Sequence, residues 1–463
     1  MSAFATLSLS PAVLSNLEQL GFASMTPVQA ATLPLILEGR DVLAQAATGS
    51  GKTVAFGLGL LQRLNPSLFA VQALVLCPTR ELADQVAAEL RRLARAIGNI
   101  KILSLCGGAP LRPQAASLEH GAHIVVGTPG RLRDHLGQGT LDLRRLRLLV
   151  LDEADRMTDM GFEEDMLAIA RACPTHRQTL LFSATFPPDT SALRAQYLQD
   201  PAEVRIASAA SGPAIVQQFY AIAPEARAAA VVRLLEHYRP ESTLVFANTR
   251  VHCQELADAL HQAGFSVRAL YGELEQRDRD EALLLFANRS CSVLVATDVA
   301  ARGIDIAGLD AVINADLSRR PDVHVHRVGR TGRAGRSGLA LSLVAPSEKR
   351  FVAPIEKLMQ ISVALADWEA LPVAEAVPAP MRTLVIAGGK RHKLRPGDVM
   401  GALSGVAGLT REQVGKIHVT EFHTYVAVAR DLAEDACARL LADGDGEAAN
   451  IKGRSFKLRL LAV

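Results

Sequence analysis

Apolar runs of strand length recur along this chain, and stretches with helical spacing separate them. ALVLCP (73–78), HIVVGTP (123–129), LRLLVLDE (146–153) and TLLFSAT (179–185) form a first series. TLVFANT (243–249), SVLVATD (292–298) and AVIN (311–314) form a second. Such alternation predicts stacked βα units around mainly parallel sheets. Between the two series lies ASAASGPA (207–214), a small-residue stretch that reads as a hinge. LVLCPTR (74–80) and LVFANTR (244–250) share the pattern LVxxxTR, and each runs into a helix-forming segment. Two copies of one α/β unit account for that echo.

The length of 463 residues leaves room for more, since domains average about 150 residues. A second boundary falls at ADWEALPVAEAVPAP (366–380), rich in Pro and Ala. Beyond it RTLVIAG, KIHVT, HTYVAVA and SFKLRLL alternate with helix-like stretches at 396–407 and 431–442. That order, β-α-β-β-α-β, predicts a small split βαβ sandwich. The expected organisation is a first α/β domain over 1–207, a linker at 208–215, a second α/β domain over 216–365, a linker at 366–381 and an α+β domain over 382–463.

Composition narrows the class. Hydrophobic residues make up 49% and charged residues 21%, enough for sizeable cores and too apolar for a mostly disordered chain. No apolar run reaches the roughly 18 residues of a membrane span, and MSAFATLSLSP has no basic region ahead of an apolar stretch. The six cysteines are scattered without a CxxC pair, as expected of reduced thiols in a cytoplasmic protein. The net charge of +2 hides an asymmetry: residues 381–463 carry thirteen Lys and Arg against nine Asp and Glu. Five of the nine lysines lie there. A compact basic module points to a polyanionic partner, although a solvated charged surface reads the same way.

The chemistry concentrates in a few strings. In Ala46-Ala47-Thr48-Gly49-Ser50-Gly51-Lys52-Thr53, bare glycines let consecutive backbone N–H groups turn toward a phosphate chain. Lys52 is placed to reach the β/γ-phosphates and the Thr53 hydroxyl to sit on Mg²⁺. About 100 residues later, LRLLVL delivers Asp152-Glu153-Ala154-Asp155 to the carboxyl edge of a sheet, where ligands of open α/β folds bind. Asp152 is then placed to hold Mg²⁺ and Glu153 to polarise an attacking water.

The DEAD string, the ATGSGKT loop and further motifs over residues 4–345 resemble the DEAD-box RNA helicases of superfamily 2. The resemblance implies two tandem RecA-like domains and an RNA-dependent ATPase. Gly21-Phe22 and Thr26-Pro27-Val28-Gln29, with Phe4 upstream, resemble the adenine-reading motif, in which the Gln amide pairs with the base and the aromatic stacks on it. Thr48, Gly49, Ser50, Gly51, Lys52 and Thr53 would hold the phosphates, and Asp305 the ribose. Arg330 and Arg333 match the arginine fingers. Asp155, Ser183, Thr185 and His326 match positions that couple hydrolysis to RNA. Arg80, Gly108, Thr128 and Arg131 match RNA-backbone motifs of the first domain; Thr249, Arg250, Gln276, Arg279, Thr297 and Gly303 match those of the second. The sequence departs from the family pattern at Ala46, at Tyr271-Gly272-Glu273, at Phe286-Ala287 and at His324.

These motifs put Lys52, Asp152 and Glu153 in one domain and the arginines in the other, so that ATP and RNA bridging both would close them together. Contacts to phosphates and 2′-hydroxyls carry little sequence information, so the core is expected to be a sequence-tolerant clamp that melts short duplexes. Residues 382–463 resemble the RRM-like RNA-binding module of bacterial DbpA-type helicases. That implies large-subunit ribosomal RNA and pre-ribosomal particles as partners. Lys390, Arg391, Lys393, Arg395, Lys452, Arg454 and Lys457 are its expected RNA contacts. His418 and Tyr425 among small aliphatics support stacking on the sheet poorly. A monomer is expected, with no membrane contact. A non-catalytic, ATP-regulated RNA clamp is the alternative, and intact Glu153, Arg330 and Arg333 argue against it. A protein-binding role for the tail is another.

Overall fold

In the computed structural model, residues 3–46, 49–183, 195–206, 215–301, 308–332 and 337–461 are described. Thr48, Thr185, most of the expected linker at 208–215, Gly303, Asp305 and Arg333 lie outside them. The chain divides near residue 210 into two compact units.

In the first unit the apolar runs fall on strands, and most of its strands are buried on both faces. The strands are β1 (Val42–Gln45), β2 (Ala73–Leu76), β3 (Ile102–Leu105), β4 (Ile124–Gly127), β5 (Leu148–Asp152), β6 (Gln178–Ser183) and β7 (Ala202–Arg205). All pair in parallel, in the order β3-β4-β2-β5-β6-β1-β7. Successive side chains of a strand point to opposite faces. Leu148 and Val150 accordingly join the core that holds Val28, Ile36 and Phe56. Leu149 and Leu151 join the core under Leu132, Met166 and Ile169. Each fully buried side chain of this kind is worth roughly 1.5–3 kcal/mol relative to exposure. The edge strand β7, Ala-Glu-Val-Arg, is half exposed and too polar to read as a strand in sequence.

The second unit opens with β8 (Ile215–Ala221), β9 (Thr243–Ala247), β10 (Val267–Leu270), β11 (Val293–Thr297), β12 (Ala311–Asn314), β13 (Gly338–Val344) and β14 (Leu365–Asp367). Their order is β10-β11-β9-β12-β13-β8-β14, which repeats that of the first sheet strand for strand. The LVxxxTR echo sits on the equivalent strands β2 and β9, so it marks a genuine structural repeat.

Residues 366–381 read as a linker in sequence, yet much of the segment lies on the second unit. β14 adds to the sheet beside β8, Trp368, Leu371 and Ala376 pack against its core, and Ala379 is fully buried. Pro and Ala set the composition, while a few apolar anchors set the fold.

The C-terminal sheet comprises β15 (Met381–Ile386), β16 (Val414–Val419), β17 (Thr424–Ala429), β18 (Ala448–Ile451) and β19 (Arg454–Leu460), in the antiparallel order β16-β17-β15-β19-β18. Helices Pro396–Gly405 and Ala433–Ala442 bury Val399, Leu403, Ala436 and Leu440 against it. β18 extends the expected four strands to five. It forms a hairpin with β19 through Lys452 and Gly453, both at positive φ (56° and 73°), as a two-residue turn of that hand requires. The buried Thr383 hydroxyl meets Asn288 Nδ2 (2.9 Å) and Ser290 Oγ (2.8 Å), which anchors the sheet to the rest of the unit. Among the described residues no helix is long and apolar enough to cross a membrane.

Candidate active site and RNA-facing surfaces

Three neighbouring parallel strands, β5, β6 and β1, end side by side in the first unit. Asp152 closes β5, Ser183 closes β6, and the phosphate-binding string follows β1, with Ala46 N–H donating to Ser183 O (2.9 Å). Helix Lys52–Arg63 begins from Gly51 at φ 95°, a conformation open to glycine. A Cβ there would also meet Gln29 Nε2 at 2.5 Å. The Gln29 amide is held on both sides: Oε1 accepts from Thr26 N–H (2.9 Å) and Nε2 donates to Gly51 O (3.1 Å). The expected adenine reader is thus wired to the phosphate loop. Phe22 is half-buried against the core, and Phe4 is fully inside it.

Lys52 is buried and its Nζ donates to Ala46 O (3.2 Å). Asp152 is 3% exposed. Burial lifts its carboxyl to about 6, against the pull of Lys52 and with a further push from Glu153. Its Oδ1 is buried and accepts no hydrogen bond among the described residues, and the same holds for Ser50 Oγ. Glu153, also buried, has left-handed backbone angles (φ 55°, ψ 52°) at the start of helix Ala154–Asp159. For a residue with a Cβ this costs roughly 1 kcal/mol. Such strain is concentrated where chemistry fixes a side chain. Asp155, next along, accepts from Arg156 N–H (3.0 Å).

On the same unit Arg80 begins helix Arg80–Leu93, and its guanidinium occupies the space a side chain at Gly108 would need. Thr128 is the residue before helix Pro129–Gly137, and its side chain makes no capping hydrogen bond. Arg131 braces a loop instead of facing outward: its Nη1 donates to Ala109 O (2.8 Å) and Gln114 Oε1 (3.0 Å).

In the second unit Thr249 Oγ1 accepts from His252 N–H (3.2 Å) at a helix start, and Arg250 is exposed beside it. Gln276 Nε2 donates to Asp280 Oδ1 (2.7 Å), and Arg279 Nη2 to Ala300 O (2.8 Å). Thr297 ends β11. His326 lies in the last turn of helix Pro321–Val328, and Arg330, just beyond it, is buried. Between them Arg327 anchors a network that the sequence reading did not single out. Its guanidinium grips Asp298 at 2.7 and 2.6 Å, Asp316 O at 2.6 Å and Asn248 Oδ1 at 2.9 Å, over the Phe246 ring. Burial would raise the Asp316 carboxyl, but His252, the Asn248 N–H and Arg227 hold it below the usual carboxylate range. His324 is the departure with the clearest reason. It is fully buried, stacks on Phe219 and is pushed down to about 4 by burial, so it packs as an uncharged aromatic.

In the C-terminal domain Lys390, Arg391, Lys393 and Arg395 are exposed after β15. Arg454 Nη1 donates to His392 O (2.8 Å), while Lys452 pairs with Asp398 (3.1 Å) and is already partly neutralised. Lys457 is exposed on β19.

Three family models match in this order: DEAD/DEAH box helicase over 26–193, helicase conserved C-terminal domain over 226–335, and DbpA RNA binding domain over 383–460. ATP-dependent RNA helicase DbpA of Escherichia coli is 52% identical, with both chains covered in full. The chain belongs to the DEAD-box RNA helicases of the DbpA type. DEAD-box helicase CshA of Geobacillus kaustophilus is 42% identical over 75% of this chain and 74% of its own. Among solved structures, Saccharomyces cerevisiae Dbp5 bound to RNA and ADP BeF3 matches 82% of this chain and 96% of its own. Its TM-score is 0.70 and its identity 28%.

As a DEAD-box helicase the protein is an ATP-dependent enzyme. The unpartnered buried oxygen of Asp152, beside the phosphate loop and carrying a carboxylate's hard donor, fits a magnesium ion. The phosphate-loop and DEAD strings stood out in sequence because each is tied to a buried strand, β1 and β5, whereas Arg330 lies just beyond helix Pro321–Val328. Arg327 was given no role because only the fold brings Asp298, Asp316 and Asn248 to it.

Proposed function

We propose that this helicase remodels large-subunit ribosomal RNA in pre-ribosomal particles, as a cytoplasmic monomer that melts short duplexes locally. The observation that carries the reading is a full-length likeness that includes the C-terminal RNA-binding domain, with exposed cations at one end of its sheet. Gln29 and Phe22 take the adenine, and the N–H groups from Thr48 to Thr53 take the phosphates, with Lys52 turning from Ala46 O to the β/γ oxygens. Bound Mg²⁺, held by Asp152 and Thr53, supplies neutralisation of phosphate charge. Glu153 orients the attacking water. Arg330 and Arg333 stabilise the spreading transition-state charge once the second unit engages the nucleotide, and Asp305 holds the ribose. Asp155, Ser183, Thr185 and His326 tie that engagement to RNA. Arg80, Gly108, Thr128, Arg131, Thr249, Arg250, Gln276, Arg279, Thr297 and Gly303 hold RNA backbone without reading bases. Target choice then falls to the C-terminal domain.

Crosslinking the full chain to cellular RNA tests this, against a chain ending at residue 380. Enrichment at one large-subunit hairpin, beyond RNA abundance and absent from the shorter chain, is the expected result. Crosslinks that simply follow abundance in both would overturn it.

A further inference from the structure

Phe422 is 51% exposed at the tip of the β16–β17 turn, where a phenyl ring gains nothing from the core. The turn is stiff. Thr420 N–H and Oγ1–H both donate to His423 O at 2.8 Å, and His423 N–H donates back to Thr420 Oγ1 at 3.0 Å. The preceding basic turn is laced onto it: Lys390 N–H donates to Thr420 O (2.9 Å) and Arg391 N–H to Glu421 O (3.1 Å). This approach needs Gly389, because a Cβ there would lie 2.5 Å from Thr420 O and 2.6 Å from Glu421 O. Arg454 adds a third loop through His392 O. The Arg391 guanidinium lies 4.8 Å from the centre of the Phe422 ring. Glu421 is the acidic side chain beside it, against exposed Lys390, Arg391, Lys393 and Arg454.

We propose that Phe422, backed by Arg391, is a stacking platform for an unpaired base of the bound RNA. This builds on the RNA-binding reading above and gives the C-terminal domain a contact to a base as well as to phosphates. The platform stands at the loop end of the sheet, whereas Tyr425 and Phe456 within the sheet are buried. Aromatic faces accept any base, and cations beside them hold the phosphates that flank it. Three interlocked loops mean that little order has to be acquired on binding.

The test uses the full-length protein without nucleotide and three probes: the ribosomal hairpin, an unstructured uridine dodecamer, and the hairpin stem as a blunt duplex. Phe422→Ala should weaken binding of the first two roughly tenfold. It should spare the duplex and leave the salt dependence unchanged, because no charge is removed. Phe422→Trp should bind as the parent does. Parent-like binding of both looped and unstructured RNA by Phe422→Ala, or equal weakening on the duplex, overturns the platform. A parent protein that does not prefer the hairpin over the dodecamer, while Phe422→Ala weakens both, sinks the ribosomal reading and leaves the platform standing.

Discussion

The carboxyl edge of the first sheet and the loop end of the C-terminal sheet are the two proposed polyanion sites, and they are built in opposite ways. Lys52, Asp152 and Glu153 are each 5% exposed or less and hang from strand ends and a helix start. Lys390, Arg391 and Lys393 are exposed and hang from a turn. Burial makes each charge of the first site expensive unless a partner or a bound ligand compensates it. Exposure makes the second set cheap and individually replaceable. On the reading proposed above, one region does chemistry on a phosphate chain and the other recruits one.

If that contrast holds, the largest losses come from single changes to the buried machinery. Arg333→Ala should lower RNA-stimulated hydrolysis by roughly 10³–10⁵, the range of an arginine finger, with ATP affinity much less changed. Phosphate release and nucleotide titration separate the two, and loss of ATP binding instead would make Arg333 a ground-state anchor. Glu153→Gln should cost roughly 10²–10⁴ in turnover while keeping ATP and RNA bound. Parent-like turnover would remove Glu153 from the water-orienting role.

Much of this contrast could be read from the chain, and the part that could not has a common cause. The strands β2, β4, β5, β6, β9, β11 and β12 announced themselves as apolar runs, and the strings expected to hold ATP lie just past β1 and at the end of β5. The edge strands β7 and β14 went unseen because an edge strand exposes polar residues, and β18 because a short strand before a tight turn looks like a loop. Arg327 and Phe422 stayed hidden for a related reason. One is a charge placed inside by partners 11 to 79 residues away in sequence, the other an apolar ring placed outside by a turn. Both violate the pattern on which reading a sequence depends.

The contrast extends to stability. Arg327 is 1% exposed and its partner Asp298 25%. Removing one member of a buried pair strands the other, so Asp298→Ala should cost about 3 kcal/mol in urea unfolding of the second unit. The surface pair Arg382–Glu434, whose glutamate is 77% exposed, is the control. Glu434→Ala should change stability by less than about 1 kcal/mol. Equal effects would mean that burial does not separate the two classes of charge.

His324 gives the same contrast a pH signature. Its folded value of about 4 lies below the ordinary 6.5. The unfolded chain therefore takes up a proton first as the pH falls. The stability it contributes is fully present above pH 6.5 and is lost on the way down to about 4, at no more than roughly 1.4 kcal/mol per unit. His324→Phe keeps a ring against Phe219 and should flatten that part of the stability profile. An unchanged profile would place the titrating group elsewhere.

The smallest effect belongs to the exposed cations, and it is best seen as a slope. Replacing Lys390, Arg391 and Lys393 together by Ala should weaken hairpin binding about tenfold or more at low salt. A phosphate that no longer meets a cation keeps its counterion, so the slope of log affinity against log salt should fall by about one unit for each such phosphate. ATP hydrolysis at saturating RNA should stay near the parent rate, since none of the three lies in a hydrolytic motif. Phe422→Ala is the counterpart, with weaker affinity at constant slope. The two variants together separate charge from stacking on one loop platform. If the triple variant bound more weakly with an unchanged slope, these side chains would be reading bases or supporting the fold, and this end of the sheet would resemble the ATP site more than it differs from it.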